Sequence, residues 1–169
     1  IRLGHDREKC PMTPETIKIV KATAPIIKEK GQDITQRMYE IAFDTRPDAR
    51  QFFVNTWMVD SEQGRRQAGL LAKACYAYAS NINDLGKLSP AVESIAQKHV
   101  DTKVLPETYP VIGECLLAAI KDVLGEAATP EILSAWAEAY GSLADIFIER
   151  EKQIYKERDN QLFPVEEAR

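Results

Sequence analysis

Histidine is almost absent from this chain. There are two, and His5 lies in a polar, charged amino-terminal stretch, so His99 is the one histidine in the body of the sequence. A single well-placed histidine can do little acid–base or multi-ligand metal chemistry. Cysteine is also sparse: Cys10, Cys75 and Cys115 are odd in number and lack CxxC spacing, which argues against zinc and a disulfide framework. No apolar run reaches the ~18 residues of a membrane span, and the longest candidate, 68–79, is interrupted by Lys73. GxGxxG, P-loop and GxSxG motifs are missing, which counts against nucleotide binding and serine hydrolysis. Alternating strand patterns, internal repeats and low-complexity segments are lacking too. The net charge of −4 speaks against nucleic acid or an anionic membrane as partner. The first ten residues are too polar for a signal peptide. A reducing, cytoplasmic setting is the expectation.

What is present is a helical protein. With 169 residues, 44% apolar and 28% charged, the chain suits a single domain with a substantial core. Thr13–Pro14, Ser89–Pro90 and Thr129–Pro130 each place a capping hydroxyl before a proline at the start of a helix. Apolar spacing predicts a helix from Pro14 to Lys30, which Pro25 should bend or loosen and Gly31 should stop. A second helix follows over 33–43, then a short turn of helix from Pro47 to Phe52–Phe53 and a loop over 54–64. Further helices are expected over 62–81, from Pro90 to about Val100, from after Leu105 to about Leu124, and from Pro130 onward, the last fraying beyond Lys156. Cys75 and Cys115 fall within apolar stripes and read as small buried hydrophobes. The fold class is therefore all-α, with six to eight helices packed pairwise. Residues 1–12 are expected to be a polar extension, 13–158 the domain and 159–169 a tail or linker stub.

Few residues can carry chemistry. A lone histidine supports little acid–base work, but it can supply one axial ligand to a haem. Read singly, His99 fits either a core histidine or such a ligand. Tyr39, on an inward helix face, fits either the core or a site. Gln67 shares the apolar face of its helix one turn before Leu71; it is either a half-solvated edge residue or an amide with a specific partner. The acidic residues Asp44, Asp48, Glu149 and Glu151 read as solvated helix surface.

The order of these residues is more telling than any one of them. Tyr39, Phe52–Phe53, Gln67 with Leu71, and His99 lie on successive helices. Around them stand Thr16–Ile17, Val20–Lys21–Ala22–Thr23, Tyr78–Ala79–Ser80–Asn81–Ile82, Pro90–Ala91–Val92–Glu93 and Ile95–Ala96–Gln97–Lys98–His99. Ile112–Gly113–Glu114, Leu116–Leu117–Ala118, Ala135–Trp136, Ala139–Tyr140–Gly141, Phe147–Ile148 and Ile154–Tyr155 follow. In these stretches, over about residues 14 to 157, the chain resembles the globin domain of flavohaemoglobins and bacterial single-domain haemoglobins.

The resemblance implies a globin fold around haem b, with His99 as proximal iron ligand, Tyr39 and Gln67 as distal donors to bound dioxygen, and Phe53 stacked on the porphyrin. It further implies Leu71, Ile95, Ile112 and Leu116 as pocket lining, and Tyr109 as a residue tuning His99. The family's tuning glutamate falls on Gln153 in this reading, with Glu149 as a substitute one turn earlier. A neutral amide there would give His99 less imidazolate character and a weaker electron push. Pro110, directly after Tyr109, leaves the tyrosine's orientation open. The segment 54–64 looks longer than in relatives and would reshape the distal entrance.

Two functions follow as expectations. One is nitric oxide dioxygenation to nitrate, which needs a flavin reductase on the same protein or a partner. The other is oxygen storage, delivery or scavenging without turnover; a gas-sensing role is a third, more distant option. Whether the chain is a single-domain globin or part of a larger protein stays open.

Overall fold

The computed structural model describes residues 12–52 and 61–162. Five α-helices carry the described fold: α1 (Pro14–Thr45), α2 (Glu62–Ser80), α3 (Ser89–Asp101), α4 (Thr108–Leu124) and α5 (Pro130–Leu162). Short 3-10 turns at Pro47–Phe52, Leu85–Leu88 and Gly125–Ala127 join them, and the described residues contain no strand. None of these helices is long and apolar enough to cross a membrane.

Local chemistry accounts for most of the helix starts. The Thr13 hydroxyl accepts from the Thr16 amide at 3.2 Å and the Ser61 hydroxyl from the Gly64 amide at 3.0 Å. Thr129 does the same for Ile132 at 3.3 Å. These bonds satisfy amides that the first helical turn leaves unpaired. Ser89 departs from its expected capping role: it lies inside α3, and its hydroxyl donates to the Gly86 carbonyl instead. Gly125, at φ +57°, ends α4 in a conformation that few residues other than glycine adopt.

The two helices expected over 14–43 are one. α1 runs through both Pro25 and Gly31, which brings the α-helix count to five where six to eight were expected. Gly31 is not a stop because its job is tertiary: a Cβ there would sit 3.2 Å from the Ala72 Cβ of α2. The missing side chain lets α1 and α2 cross at close range. Thr35 then donates to the Ala68 carbonyl at 2.7 Å, and Gln32 to the Arg65 carbonyl at 2.9 Å. At the other end of the chain, α5 continues past Lys156 to Leu162 rather than fraying.

Two apolar clusters result. The larger joins α1, α2, α4 and α5 through Val20, Ile34, Met38, Ala68, Ile120 and Trp136, all nearly inaccessible. Each large side chain removed from water contributes about 1.5–3 kcal/mol. Its polar atoms are matched, with Trp136 Nε1 donating to Thr23 Oγ1 at 2.9 Å and Tyr78 Oη to the Ala139 carbonyl at 3.0 Å. Cys115 is buried and Cys75 half-buried in helix faces, both as free thiols. The smaller cluster holds α3 against α5 through Ala96, Val100, Tyr109, Ala144, Phe147 and Ile154. α3 packs on α5 and on the Leu85–Leu88 turn, and hardly at all on α2.

Candidate functional site: a histidine bound at one nitrogen

His99 lies in the last turn of α3, and Tyr109 in the first turn of α4. The Tyr109 hydroxyl donates to Glu151 Oε1 at 2.6 Å. His99 Nδ1 is 2.8 Å from the same oxygen and 2.9 Å from the Tyr109 oxygen. This triangle assigns the histidine's proton. Tyr109 has one hydrogen and commits it to Glu151, so both oxygens facing Nδ1 are acceptors there. Nδ1 must therefore carry a hydrogen, and in the neutral ring the lone pair is left on Nε2. Burial, reinforced by the bond to Glu151, pushes the Tyr109 phenol well above its ordinary range, which keeps it a donor.

The carboxylate in this triangle is Glu151, where Gln153 was expected. Glu151 is 3% exposed, whereas Gln153 and Glu149 are both on the surface. Gln153 accepts from Arg150 at 3.2 Å and faces away from the histidine. The reason is helix periodicity: Glu151 stands four residues after Phe147 and three before Ile154, on the stripe that α5 turns inward. Gln153, one residue before Ile154, falls off that stripe onto the exposed face. Its apolar neighbours were the signal that could have identified Glu151, outweighed by its charge. A carboxylate is a stronger acceptor than an amide, so the expected weakening of His99 is reversed.

Tyr109 is held at its backbone end as well. Pro110 occupies the first turn of α4, where a missing amide hydrogen disrupts nothing, and the Tyr109 amide donates to the Pro106 carbonyl. Tyr140 Oη donates to the Tyr109 carbonyl at 2.7 Å. Gly113 makes room for that ring, since a Cβ there would lie 2.6 Å from Tyr140 Cε1.

Tyr39 and Gln67, on α1 and α2, also come together: Gln67 Nε2 donates to Tyr39 Oη at 3.3 Å. Burial pushes the Tyr39 phenol up to about 12, with the Gln67 bond opposing the shift. Leu71 and Ile112 are half-buried against the larger cluster and Leu116 is buried in it, while Ile95 packs on the smaller one. Phe53 and most of the 54–64 segment lie outside the described residues.

The arrangement fits a haem. Its donor set offers one imidazole whose Nδ1 is engaged by Tyr109 and Glu151 and whose Nε2 makes no hydrogen bond among the described residues. The helices bearing His99 and Gln67 make little contact with each other. No group of three or more metal-ligating side chains occurs among the described residues.

Comparison with known proteins agrees. The family model for globins matches residues 36–147. The chain is a globin. This globin is 44% identical over 148 residues to a flavohemoprotein of Oceanobacillus iheyensis, a match covering 88% of the chain and 36% of that relative. It thus spans about a third of the length of the curated flavohemoproteins it matches. A bacterial globin from Campylobacter jejuni is 35% identical with a TM-score of 0.76, covering 85% of this chain and 99% of the other. An engineered carbene transferase from Rhodothermus marinus is 32% identical with a TM-score of 0.78. That match covers 86% of this globin and 96% of the structure. These relatives imply haem binding.

Proposed function

We propose that this globin binds haem b through His99 Nε2 and serves as the oxygen-binding half of a nitric oxide dioxygenase. A flavin reductase, on the same protein or a partner, would return its iron to the ferrous state. When bound, the haem supplies an iron centre that takes up dioxygen and combines it with nitric oxide to give nitrate.

The observation that carries this reading is the buried Glu151 carboxylate accepting from both Tyr109 and His99 Nδ1. A negative acceptor draws the Nδ1 proton away from the ring and enriches Nε2 in electron density. Histidine ligation tuned in this way favours reaction at bound dioxygen over simple carriage. On the opposite side, Tyr39 and Gln67 supply a phenol and an amide as candidate donors to a polar ligand. With its phenol pushed up to about 12, Tyr39 keeps its proton at neutral pH. Hydrogen bonds to a ligand carrying partial negative charge would contribute about 1.5–3 kcal/mol each. Leu71, Ile112 and Leu116 supply apolar walls, and Ile95 lies on the His99 helix one turn earlier. The free thiols Cys75 and Cys115 suit a reducing cytoplasm.

The test is a stopped-flow experiment in which the oxygenated protein meets nitric oxide with a generic flavin reductase and reductant present. Sustained nitrate production over many turnovers is the expected result. A single stoichiometric burst followed by arrest would overturn the enzymatic reading in favour of oxygen storage or scavenging.

A further inference from the structure

α3 is the least anchored of the helices. It rests on α5 and the Leu85–Leu88 turn, with Ala96 and Val100 buried and Val92 and Ile95 packed part-buried beside them. Apolar contacts of this kind are non-directional. Along the edge of the same interface runs a continuous line of polar contacts. Arg150 Nε and Nη2 donate to Glu93 at 2.6 and 3.0 Å. Gln97 donates to Glu93 at 2.9 Å, and Arg158 Nη2 donates to Gln97 and Asp101, each at 2.9 Å. On the outer side, Arg150 Nη1 reaches Gln153 and Glu157, each at 3.2 Å.

The spacing is regular. Residues 93, 97 and 101 recur one turn apart along α3, matched by 150 and 158 two turns apart on α5. Arg150 immediately precedes Glu151, so consecutive residues of α5 grip the rim of α3 and the ring of its histidine. The fork of Arg150 on the Glu93 carboxylate is the planar, two-bond arrangement that fixes direction as well as distance. Glu93 is held down at about 2, mainly by Arg150, so the pair stays ionised through the working pH range.

We infer that this α3–α5 ladder, centred on Arg150 and Glu93, is a positioning device that holds His99 in register with Glu151 and Tyr109 and so tunes it as an iron ligand. The inference rests on the reading of His99 as iron ligand. Its physical basis is the steep dependence of a hydrogen bond on distance and angle. The 2.8 Å contact from Nδ1 to Glu151 is already short, and a few tenths of an ångström of rocking in α3 would weaken it. Arg150 acts through α3, touching neither ring nor iron, and tunes the ligand at one remove.

The test uses the full chain loaded with haem and reduced without oxygen, and it reads the iron–histidine stretching band by resonance Raman spectroscopy. Arg150→Met keeps the length of the side chain and removes its charge and donors. The expected result is a broadened band moved to lower frequency, with a raised reduction potential. Arg150→Lys, which keeps the charge, should move the band back towards wild type. Arg158→Met, at the far end of the ladder, should give a smaller shift in the same direction, and it carries the test if Arg150→Met does not fold. Arg37→Met removes an α1–α4 ion pair with Asp122 and serves as control: it should leave the band in place whatever it does to thermal stability. An unmoved band in the Arg150 and Arg158 variants, or an equal shift in Arg37→Met, would overturn the inference. Failure of the wild type to take up haem would instead refute the functional reading itself.

Discussion

Replacing Glu151 by Gln removes one charge from the interior and almost nothing else. The shape is kept, and an amide oxygen remains to accept a hydrogen bond. In the native site one carboxylate oxygen receives the Tyr109 hydroxyl at 2.6 Å and His99 Nδ1 at 2.8 Å. Bonds to a charged acceptor contribute about 1.5–3 kcal/mol and neutral ones about 0.5–1.5, so the two together should lose about 2 kcal/mol. Relief from burying a charge offsets part of this loss. For a domain of this size each 1 kcal/mol moves the melting temperature by about 2–4 °C, which predicts a fall of up to about 8 °C. The assay is thermal unfolding of the haem-free protein by circular dichroism at 222 nm, with Gln153→Leu as its partner. Gln153 is exposed, and its replacement should stay within about 0.5 kcal/mol. A Gln153 variant that melts early beside an unaffected Glu151 variant would refute the placement of the carboxylate.

Gly113→Ala should destabilise by about 1–3 kcal/mol, because its methyl group must displace a Tyr140 ring held at 2.7 Å to the Tyr109 carbonyl. An unchanged melting temperature would show that the ring moves freely. Tyr39 should resist alkaline ionisation until about 12. Its raised folded value means that stability is fully present below the ordinary tyrosine value of about 10 and falls as pH rises towards 12. Ultraviolet difference titration of the wild type against Tyr39→Phe measures this, and a Tyr39 component ionising near 10 would contradict it. In the haem-loaded protein Tyr39→Phe should also speed oxygen release; an unchanged off-rate by flash photolysis would remove Tyr39 from the site.

The helical class could be read from cap residues and apolar spacing because both are local. Thr13 and Thr129 act on amides within three residues of themselves. Gly31 could not be read this way, since its reason for being glycine is Ala72, a residue on another helix. Ser89 likewise looked like a cap, and only the placement of the preceding turn sends its hydroxyl to Gly86. The resemblance named His99, Tyr109, Tyr39 and Gln67 as site residues, and the structure sets His99 beside Tyr109 and Tyr39 beside Gln67. Glu151 escaped notice because a carboxylate between Arg150 and Lys152 looks solvated in one dimension. Burial of that charge depends on two donors from α3 and α4, which no reading of α5 alone contains.

The most direct test of the account is haem binding through His99. Titrating haem into the wild-type protein should give a sharp Soret band that saturates at one haem per chain. His99→Gly should abolish or displace that band, and added imidazole should restore it by occupying the vacated position. A Soret band and ligand-binding behaviour unchanged in His99→Gly would contradict the assignment of Nε2 as the iron ligand, and with it the role given to Tyr109 and Glu151.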